Sequence, residues 1–69
     1  MRVHVARVPR PNVEQTLDVR DGATVQDVLR KMNVALDAVV VIRDDQPVPV
    51  DAPVREGERL RVLTVFSGG

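Results

Sequence analysis

The sequence contains no cysteine, tryptophan or tyrosine, and it has a single histidine, His4. Without cysteine the chain can form neither a disulfide nor a thiolate metal site, and one histidine cannot build a zinc site alone. We therefore expect no bound metal or cofactor, and a fold held together by packing. No apolar stretch approaches the ~20 residues that span a bilayer. Residues 1–6 also lack the apolar core of a signal peptide. A cytoplasmic protein without a membrane partner is expected.

The charged residues are balanced and dispersed. Ten basic and ten acidic side chains cancel without forming a basic stripe, which argues against a nucleic-acid partner. At 69 residues, the chain is expected to form one domain, 1–69, and to be a monomer. No nucleophile with an adjacent base is recognisable, and the core is too small for a deep pocket. We therefore predict no catalytic residue and no enzyme activity of its own.

Alternating apolar residues predict two amphipathic strands at the start of the chain. Residues 2–6 and residues 16–20 both show this period of two, which is typical of strands with one wet face. Pro9 and Pro11 lie between them and predict a short connecting loop, so the two strands are expected to form a hairpin. Asp21-Gly22 marks its end.

The period changes after Thr24. Apolar residues spaced at i, i+3, i+4 and i+7 predict one face of a helix, namely Val25, Val28, Leu29 and Met32. Thr24 and Asp27 resemble a capping box, with Asp in place of the usual Glu, and place the helix start there. Asn33 is a residue type that favours a left-handed stop.

Three further strands are predicted after the helix. Residues 39–42 form an uninterrupted β-branched run, typical of a central strand. A tight turn leads into a short edge strand at residues 47–50, because its two prolines cannot donate ladder hydrogen bonds. Residues 53–58 form a loop, and residues 60–66 form the last strand. One helix can bury its apolar stripe only against one face of this sheet, so the fold class is two-layer α+β.

Two segments resemble a prokaryotic family of sulfur carriers and small modifiers. The run Arg55-Glu56-Gly57-Glu58-Arg59-Leu60-Arg61-Val62, followed by Ser67-Gly68-Gly69, looks like that family's end, where an acidic Gly turn precedes the last strand and a terminal diglycine. Residues 41–49 look like its central hairpin, although Asp44-Asp45 replaces the usual Asn-Gly or Asp-Gly turn. The chain is most similar to the ubiquitin-like small archaeal modifier proteins. The resemblance implies a β-grasp, ubiquitin-like fold, with a mixed sheet of four to five strands packed against one helix. In that fold the first and last strands lie parallel at the sheet centre.

The resemblance also implies a chemistry that is centred on Gly69. An E1-like adenylating enzyme would activate the Gly69 carboxylate with ATP and magnesium. Sulfur from a sulfur donor or sulfurtransferase would then give a thiocarboxylate for tRNA thiolation or cofactor synthesis. Attack by a lysine of a target protein would instead give an isopeptide bond. Residues 67–69 are expected to form a flexible functional tail, in which the enzyme recognises Gly68 and Ser67.

Apolar residues just before this tail suggest where a partner docks. Val65 and Phe66 are adjacent, so one must point away from the core, and Leu63 is out of phase with the buried positions. Together they predict an exposed docking patch, unless a bulge after residue 62 returns them to the core. Lys31, the single lysine, is a candidate conjugation acceptor or an ordinary surface residue. The alternative function is a non-catalytic β-grasp interaction module whose tail is incidental.

Overall fold

The computed structural model describes the backbone of residues 1–8 and 10–64 and the side chains of residues 1–7 and 14–64. The elements follow one another in the predicted order, with one addition, a 3₁₀ turn that the sequence did not reveal. They are β1 (Arg2–Val8), β2 (Arg10–Asp18), α1 (Val25–Lys31), the 3₁₀ turn (Leu36–Ala38), β3 (Val39–Arg43), β4 (Gln46–Val48) and β5 (Arg59–Thr64).

The five strands form one mixed sheet in the order β2-β1-β5-β3-β4. β1 and β5 are parallel neighbours at its centre, and the other pairs are antiparallel. This confirms the predicted α+β fold class and the central parallel pair. The pairing of β1 with β5 joins the N-terminal hairpin to the other three strands, so that all five form one sheet.

One prediction about the first hairpin is wrong. β2 begins at Arg10, so Pro11 lies inside the strand and not in the connecting loop. β2 is at the edge of the sheet, where a proline sacrifices no ladder hydrogen bond if its nitrogen faces outward. The β1–β2 register also shifts between Ala6 and Arg7, which accommodates extra residues on the β2 side.

Helix α1 has the predicted boundaries and end structures. Asp27 N–H donates to Thr24 Oγ1, and Thr24 N–H donates to Asp27 Oδ2, which completes the capping box. At the other end Asn33 adopts a left-handed conformation with φ of 61°. Its N–H donates to the Arg30 carbonyl and the Val34 N–H donates to the Leu29 carbonyl. This pair of bonds is the Schellman motif, which satisfies carbonyls that the helix leaves open.

The core lies between α1 and one face of the sheet. Its largest fully buried side chains, each at most 2% exposed, come from β1, α1 and β5 and are Val3, Val5, Val25, Val28, Leu29, Leu60 and Val62. Burying a Val or Leu side chain stabilises a fold by about 1.5–3 kcal/mol. The apolar side chains of the helix and the inward side chains of the strands therefore pack in one layer. The opposite face of the sheet is not covered by the helix.

Candidate functional site

The turn before β5 sets the position of the strand that leads to the tail. Glu58 N–H donates to the Arg55 carbonyl at 3.1 Å, and Gly57 has φ of 76°. A positive φ at the third residue of a turn is the feature that favours glycine there. Gly57 N–H donates to the Arg2 carbonyl, and His4 N–H donates to the Glu58 carbonyl, at 2.7 and 2.8 Å. The turn is therefore attached to β1, and β5 starts in register beside it.

From Arg59 to Leu63, β5 alternates between the open face of the sheet and the core, and Thr64 at its end is exposed like Leu63. Leu60 and Val62 are buried, whereas Leu63 is 37% exposed. The pairing of β5 with β3 is continuous from Ile42–Arg61 to Val39–Thr64, with no register shift. A bulge after residue 62, the alternative left open by the sequence, is therefore absent from this described part of β5. Leu63 points away from the core.

Neighbouring strands place further apolar residues beside Leu63. Register alignment puts Val40 directly opposite Leu63 and Ile42 opposite Arg61. Ala6 of β1 is aligned with Arg61 from the other side. We call this surface the outer sheet face and define it by His4, Ala6, Val40, Ile42, Arg59, Arg61 and Leu63. Val40 and Ile42 are half-buried.

The outer sheet face is polar and charged at the start of β5 and apolar toward its end. At the start of β5, His4 lies beside Arg59, and the His4 ring nitrogen Nδ1 is 3.1 Å from Thr16 Oγ1. Toward the end of β5, Leu63 and Val40 are paired and uncharged. β5 ends at Thr64, and the tail follows it in the sequence. The apolar end of the outer sheet face therefore lies at the end of β5 that leads to the tail.

A depression of about 300 Å³ lies midway along this face, and Ala6, Ile42, Arg59 and Arg61 contribute to its lining. Asp45 also lines it, and its Oδ1 is 3.8 Å from Arg61 Nη2. The side chains of this pair are 93% and 51% exposed, so the attraction is strongly screened and contributes little to stability. The charges here remain available to a partner.

The β4 edge of the sheet is poorly suited to pairing with another strand. Arg43 and Gln46 close the two-residue turn, and Ile42 is aligned with Pro47. In an antiparallel ladder the pair next to a hydrogen-bonded pair directs its backbone groups away from the partner strand. Pro47 therefore faces the free edge and offers no N–H there. The β4 edge therefore offers no backbone donor at Pro47 to an added strand.

The structure describes only some of the candidate residues named from the sequence. Leu63 is exposed on the outer sheet face, and Lys31 is exposed in the last turn of α1. Five residues lie outside the described part of the chain, namely Val65, Phe66, Ser67, Gly68 and Gly69. The functional roles assigned to all of them stay predictions.

The sequence reading missed Val40 and Ile42 as members of the same surface. The signal was present, because an uninterrupted β-branched run in a strand places apolar residues on both faces of the sheet. The missing information was the strand order. Only the placement of β3 beside β5 shows that the outward residues of this run adjoin Leu63.

Within residues 1–8 and 10–64, no three carboxylate or histidine side chains are grouped closely enough to hold a metal ion. Asp44 and Asp45 instead form the β3–β4 turn, both in left-handed conformations. None of the helices in the described ranges is long and apolar enough to span a membrane.

Comparison with protein families gives one match that extends over almost the whole chain. Residues 1–66 match the model of small archaeal modifier protein 2. The chain belongs to this family. An uncharacterized protein of Archaeoglobus fulgidus is 39% identical over 49 residues, which are 71% of this chain and 72% of that protein.

Two solved structures share the fold of this small archaeal modifier protein. SAMP1 from Haloferax volcanii superposes with a TM-score of 0.77 at 18% identity, covering 100% of both chains. A Caldiarchaeum subterraneum ubiquitin gives a TM-score of 0.74 at 17% identity, covering 100% of this chain and 98% of its own. At such low identity these likenesses establish the ubiquitin-like β-grasp fold alone. Family membership indicates a ubiquitin-like modifier role, with conjugation to targets and an E1-like partner in general terms.

Proposed function

We propose that this small archaeal modifier is activated at its Gly69 carboxyl group by an E1-like enzyme and then transferred to a lysine or loaded with sulfur. The observation that carries the proposal is the family match over residues 1–66, followed directly by Ser67-Gly68-Gly69 in the sequence. Glycine has no side chain to obstruct a narrow channel or an approaching nucleophile. The tail is therefore suited to entering another protein's active site.

The proposed chemistry takes place in the partner enzyme. The Gly69 carboxylate attacks the α-phosphorus of ATP, pyrophosphate leaves, and an acyl adenylate forms. A lysine amine attacks the acyl carbon, AMP and a proton leave, and an isopeptide bond results. Attack by the terminal sulfur of a persulfide donor at the same carbon also releases AMP and a proton and gives an acyl disulfide. A thiol then attacks the donor's inner sulfur, so that the S–S bond breaks, the donor and the thiol form a disulfide, and Gly69 is left as a thiocarboxylate. ATP and magnesium belong to the enzyme, and this chain is its protein substrate.

The outer sheet face supports docking of that enzyme. Leu63 and Val40 form its apolar end, beside the point where β5 continues toward the tail. The five residues 65–69 span at most ~17 Å when fully extended. The adenylating centre must therefore lie within that distance of the end of β5, so the enzyme must contact this end of the sheet. Val65 and Phe66 would extend the same contact.

Mass spectrometry of untagged protein from its native cells tests the proposal. The intact mass distinguishes a free carboxylate from a thiocarboxylate, in which one sulfur replaces one oxygen. Conjugates need a specific search, because trypsin cleaves after Arg61 and leaves residues 62–69 on the target lysine. A Thr64→Arg variant, which leaves the predicted recognition residues Ser67 and Gly68 unchanged, shortens this remnant to residues 65–69 and provides an independent check.

A variant that lacks Gly68 and Gly69 is the decisive control. It is expected to lose both the thiocarboxylate and every conjugate while keeping the wild-type fold, because glycine has no side chain to pack in a core. If adducts and cellular phenotypes were unchanged after the deletion, activation at Gly69 would be wrong. Partner binding that survived the deletion without any adduct would favour the interaction-module alternative.

A further inference from the structure

The two edges of the sheet differ in what they offer to another strand. β4 is three residues long and presents Pro47 to its free edge. β2 is nine residues long, and in the described part of the chain no strand lies on its other side. An edge strand with unpaired N–H and C=O groups is a template for pairing with another chain. β2 is therefore the edge that is open to strand addition.

The hydrogen bonds between β1 and β2 show which backbone groups of β2 point outward. The Met1 amine donates to the Val19 carbonyl at 2.7 Å, and the Val19 N–H donates to the Met1 carbonyl at 2.8 Å, so these two residues form a hydrogen-bonded pair. Hydrogen-bonded and non-hydrogen-bonded pairs alternate along an antiparallel ladder. Counting back from Val19, the residues whose N–H and C=O groups point to the free edge are Glu14, Thr16 and Asp18.

We call residues 14–18 the β2 edge. The regular ladder ends at Glu14, because the register shifts beyond its pair with Ala6. Side chains alternate between the two faces of a sheet, and Leu17 packs against the core on the inner side. The side chains of the opposite parity lie on the outer side and are Glu14, Thr16 and Asp18. An added strand would therefore meet Leu17 on its inner side and two carboxylates on its outer side.

The two carboxylates of the β2 edge are the only charges among residues 14–18. The Asp18 side chain is 79% exposed, and Arg2, whose Nε is 3.4 Å from Asp18 Oδ1, is 70% exposed. The Glu14 side chain is 42% exposed, and its Oε1 is 3.9 Å from His4 Nδ1. Exposed pairs of this kind contribute little free energy. Both carboxylates can therefore pair with basic side chains of an added strand.

The same charges disfavour pairing of the β2 edge with a second copy of the chain. An antiparallel pair of two such edges centred on Thr16 places Glu14 of each copy opposite Asp18 of the other. Like charges directly opposite each other destabilise a sheet. A strand with lysine or arginine at both of these positions forms an opposite-charge pair at each of them instead.

We propose that the β2 edge binds, by strand addition, an extended segment of another protein in which basic and apolar residues alternate. The segment runs antiparallel to β2, and its backbone pairs with the outward N–H and C=O groups. Its basic side chains lie opposite Glu14 and Asp18, and its apolar side chains cover Leu17. This binding does not depend on activation of Gly69, because β1 separates the β2 edge from β5, which leads to the tail.

The probe for this interaction is a backbone-cyclised β-hairpin, which is preorganised and so loses little conformational entropy on binding. One of its strands is Lys-Val-Thr-Val-Lys, with the N–H groups of both lysines and the threonine on its free edge. Amide NMR spectra of the full-length protein follow the titration. The largest shifts, with slower solvent exchange, are expected at Glu14, Thr16 and Asp18. A hairpin with glutamate in place of both lysines is expected to bind roughly tenfold more weakly.

Thr16→Pro tests the backbone of the β2 edge. The Thr16 N–H points outward, so proline at this position removes no hydrogen bond to β1, and we expect the affinity for the lysine hairpin to fall roughly tenfold. Thr16→Val is the matched control, because it keeps the N–H and is expected to bind like wild type. N-methylation of the hairpin's threonine removes the facing donor without any change to the protein. It is expected to weaken binding as much as Thr16→Pro does.

Shifts at the β2 edge that disappear with the N-methylated hairpin and weaken with the glutamate hairpin support the inference. Equal affinity for the lysine and glutamate hairpins overturns the basic partner, and affinity that ignores N-methylation overturns strand addition. Absence of binding by the lysine hairpin, or shifts confined to the surroundings of Leu63, also overturns the inference. Concentration-dependent shifts of the β2 edge without any hairpin would identify a second copy as the occupant and would overturn it as well.

Discussion

Glu58 accepts a hydrogen bond from the Arg43 guanidinium at 3.0 Å, which joins the loop before β5 to the end of β3. The Glu58 side chain is only 14% exposed and the Arg43 side chain 28%. The other carboxylate oxygen of Glu58 accepts the Arg55 N–H at 3.2 Å. One carboxylate thus holds the turn from the β3 side, and backbone bonds hold it from the β1 side. The central strand that leads to the tail is anchored at its start by both neighbours.

We predict that Glu58→Ala destabilises the fold by roughly 1–3 kcal/mol. It removes the carboxylate from the half-buried Arg43 guanidinium, which keeps only the Pro53 carbonyl at 3.3 Å, and it leaves the Arg55 N–H without its acceptor. Urea unfolding measures the change. Asp45→Asn is the control, since it removes the exposed ion pair with Arg61 while keeping a residue type that tolerates the left-handed turn position, and it is expected to cost less than ~0.5 kcal/mol. Equal effects of the two substitutions would show that the Glu58 contacts do not anchor the turn.

The capping box predicts a specific loss of stability in acid. The backbone hydrogen bond from Thr24, together with its hydroxyl and the nearby Arg20 and Arg30, holds the pKa of Asp27 below its ordinary value. A carboxylate whose pKa is lower in the folded state stabilises the fold above its unfolded pKa. That contribution disappears as the pH falls through the folded pKa.

We therefore expect Asp27→Asn to be less stable than wild type at pH 7. The difference should shrink as the pH falls below about 4, the ordinary pKa of an aspartate. Urea midpoints between pH 7 and pH 2.5 measure it. Thr24→Ala should cost about 1 kcal/mol at pH 7, because it removes the N-cap oxygen. Asp51→Asn, at an exposed turn position, should have the same urea midpoint as wild type at each pH. If its midpoints instead matched those of Asp27→Asn, the capping box would not explain the pH dependence.

The β3–β4 turn offers a stabilising substitution. Asp44 and Asp45 have φ of 53° and 64°, the pattern of a type I′ turn, in which glycine carries no steric cost. Asp45→Gly is expected to raise the free energy of unfolding by roughly 0.5–1 kcal/mol. Asp51→Gly is the matched control and should give no gain, because Asp51 is not among the residues with positive φ. An equal gain in both variants would contradict this explanation.

The outer sheet face can be tested with two residues of nearly equal exposure. Leu63 and Val50 are 37% and 38% exposed, but Val50 lies in the loop beside α1, where its carbonyl accepts the Gln26 N–H. We expect Leu63→Ser to raise the Michaelis constant of the E1-like enzyme for this modifier roughly tenfold, equivalent to about 1.4 kcal/mol. Val50→Ser should change it less than twofold. ATP–pyrophosphate exchange measures both, and similar constants for the two variants would exclude docking at Leu63.

Local signals in the sequence were sufficient for most elements. Thr24 and Asp27 identified the helix start, and Asn33 identified its end, because caps depend on residues within a few positions of each other. The Asp44-Asp45 turn was also placed correctly, because two polar residues between two strand-like runs can connect them only by a tight turn. The exception was Pro11, whose place in a strand depends on β2 being an edge strand.

The sequence by itself therefore determined the order of elements, the buried side of each and the unusual tail at Ser67-Gly68-Gly69. It also determined that Lys31 is the one lysine of the chain. The family resemblance implied that β1 and β5 are parallel neighbours, and the structure confirmed it. Tertiary structure alone decided that Val40 lies opposite Leu63 and that the Met1 amine is held by Val19. Those relationships join residues far apart in the chain. Their free energy comes from burial and hydrogen bonding between whole elements, which no local pattern of residues reports.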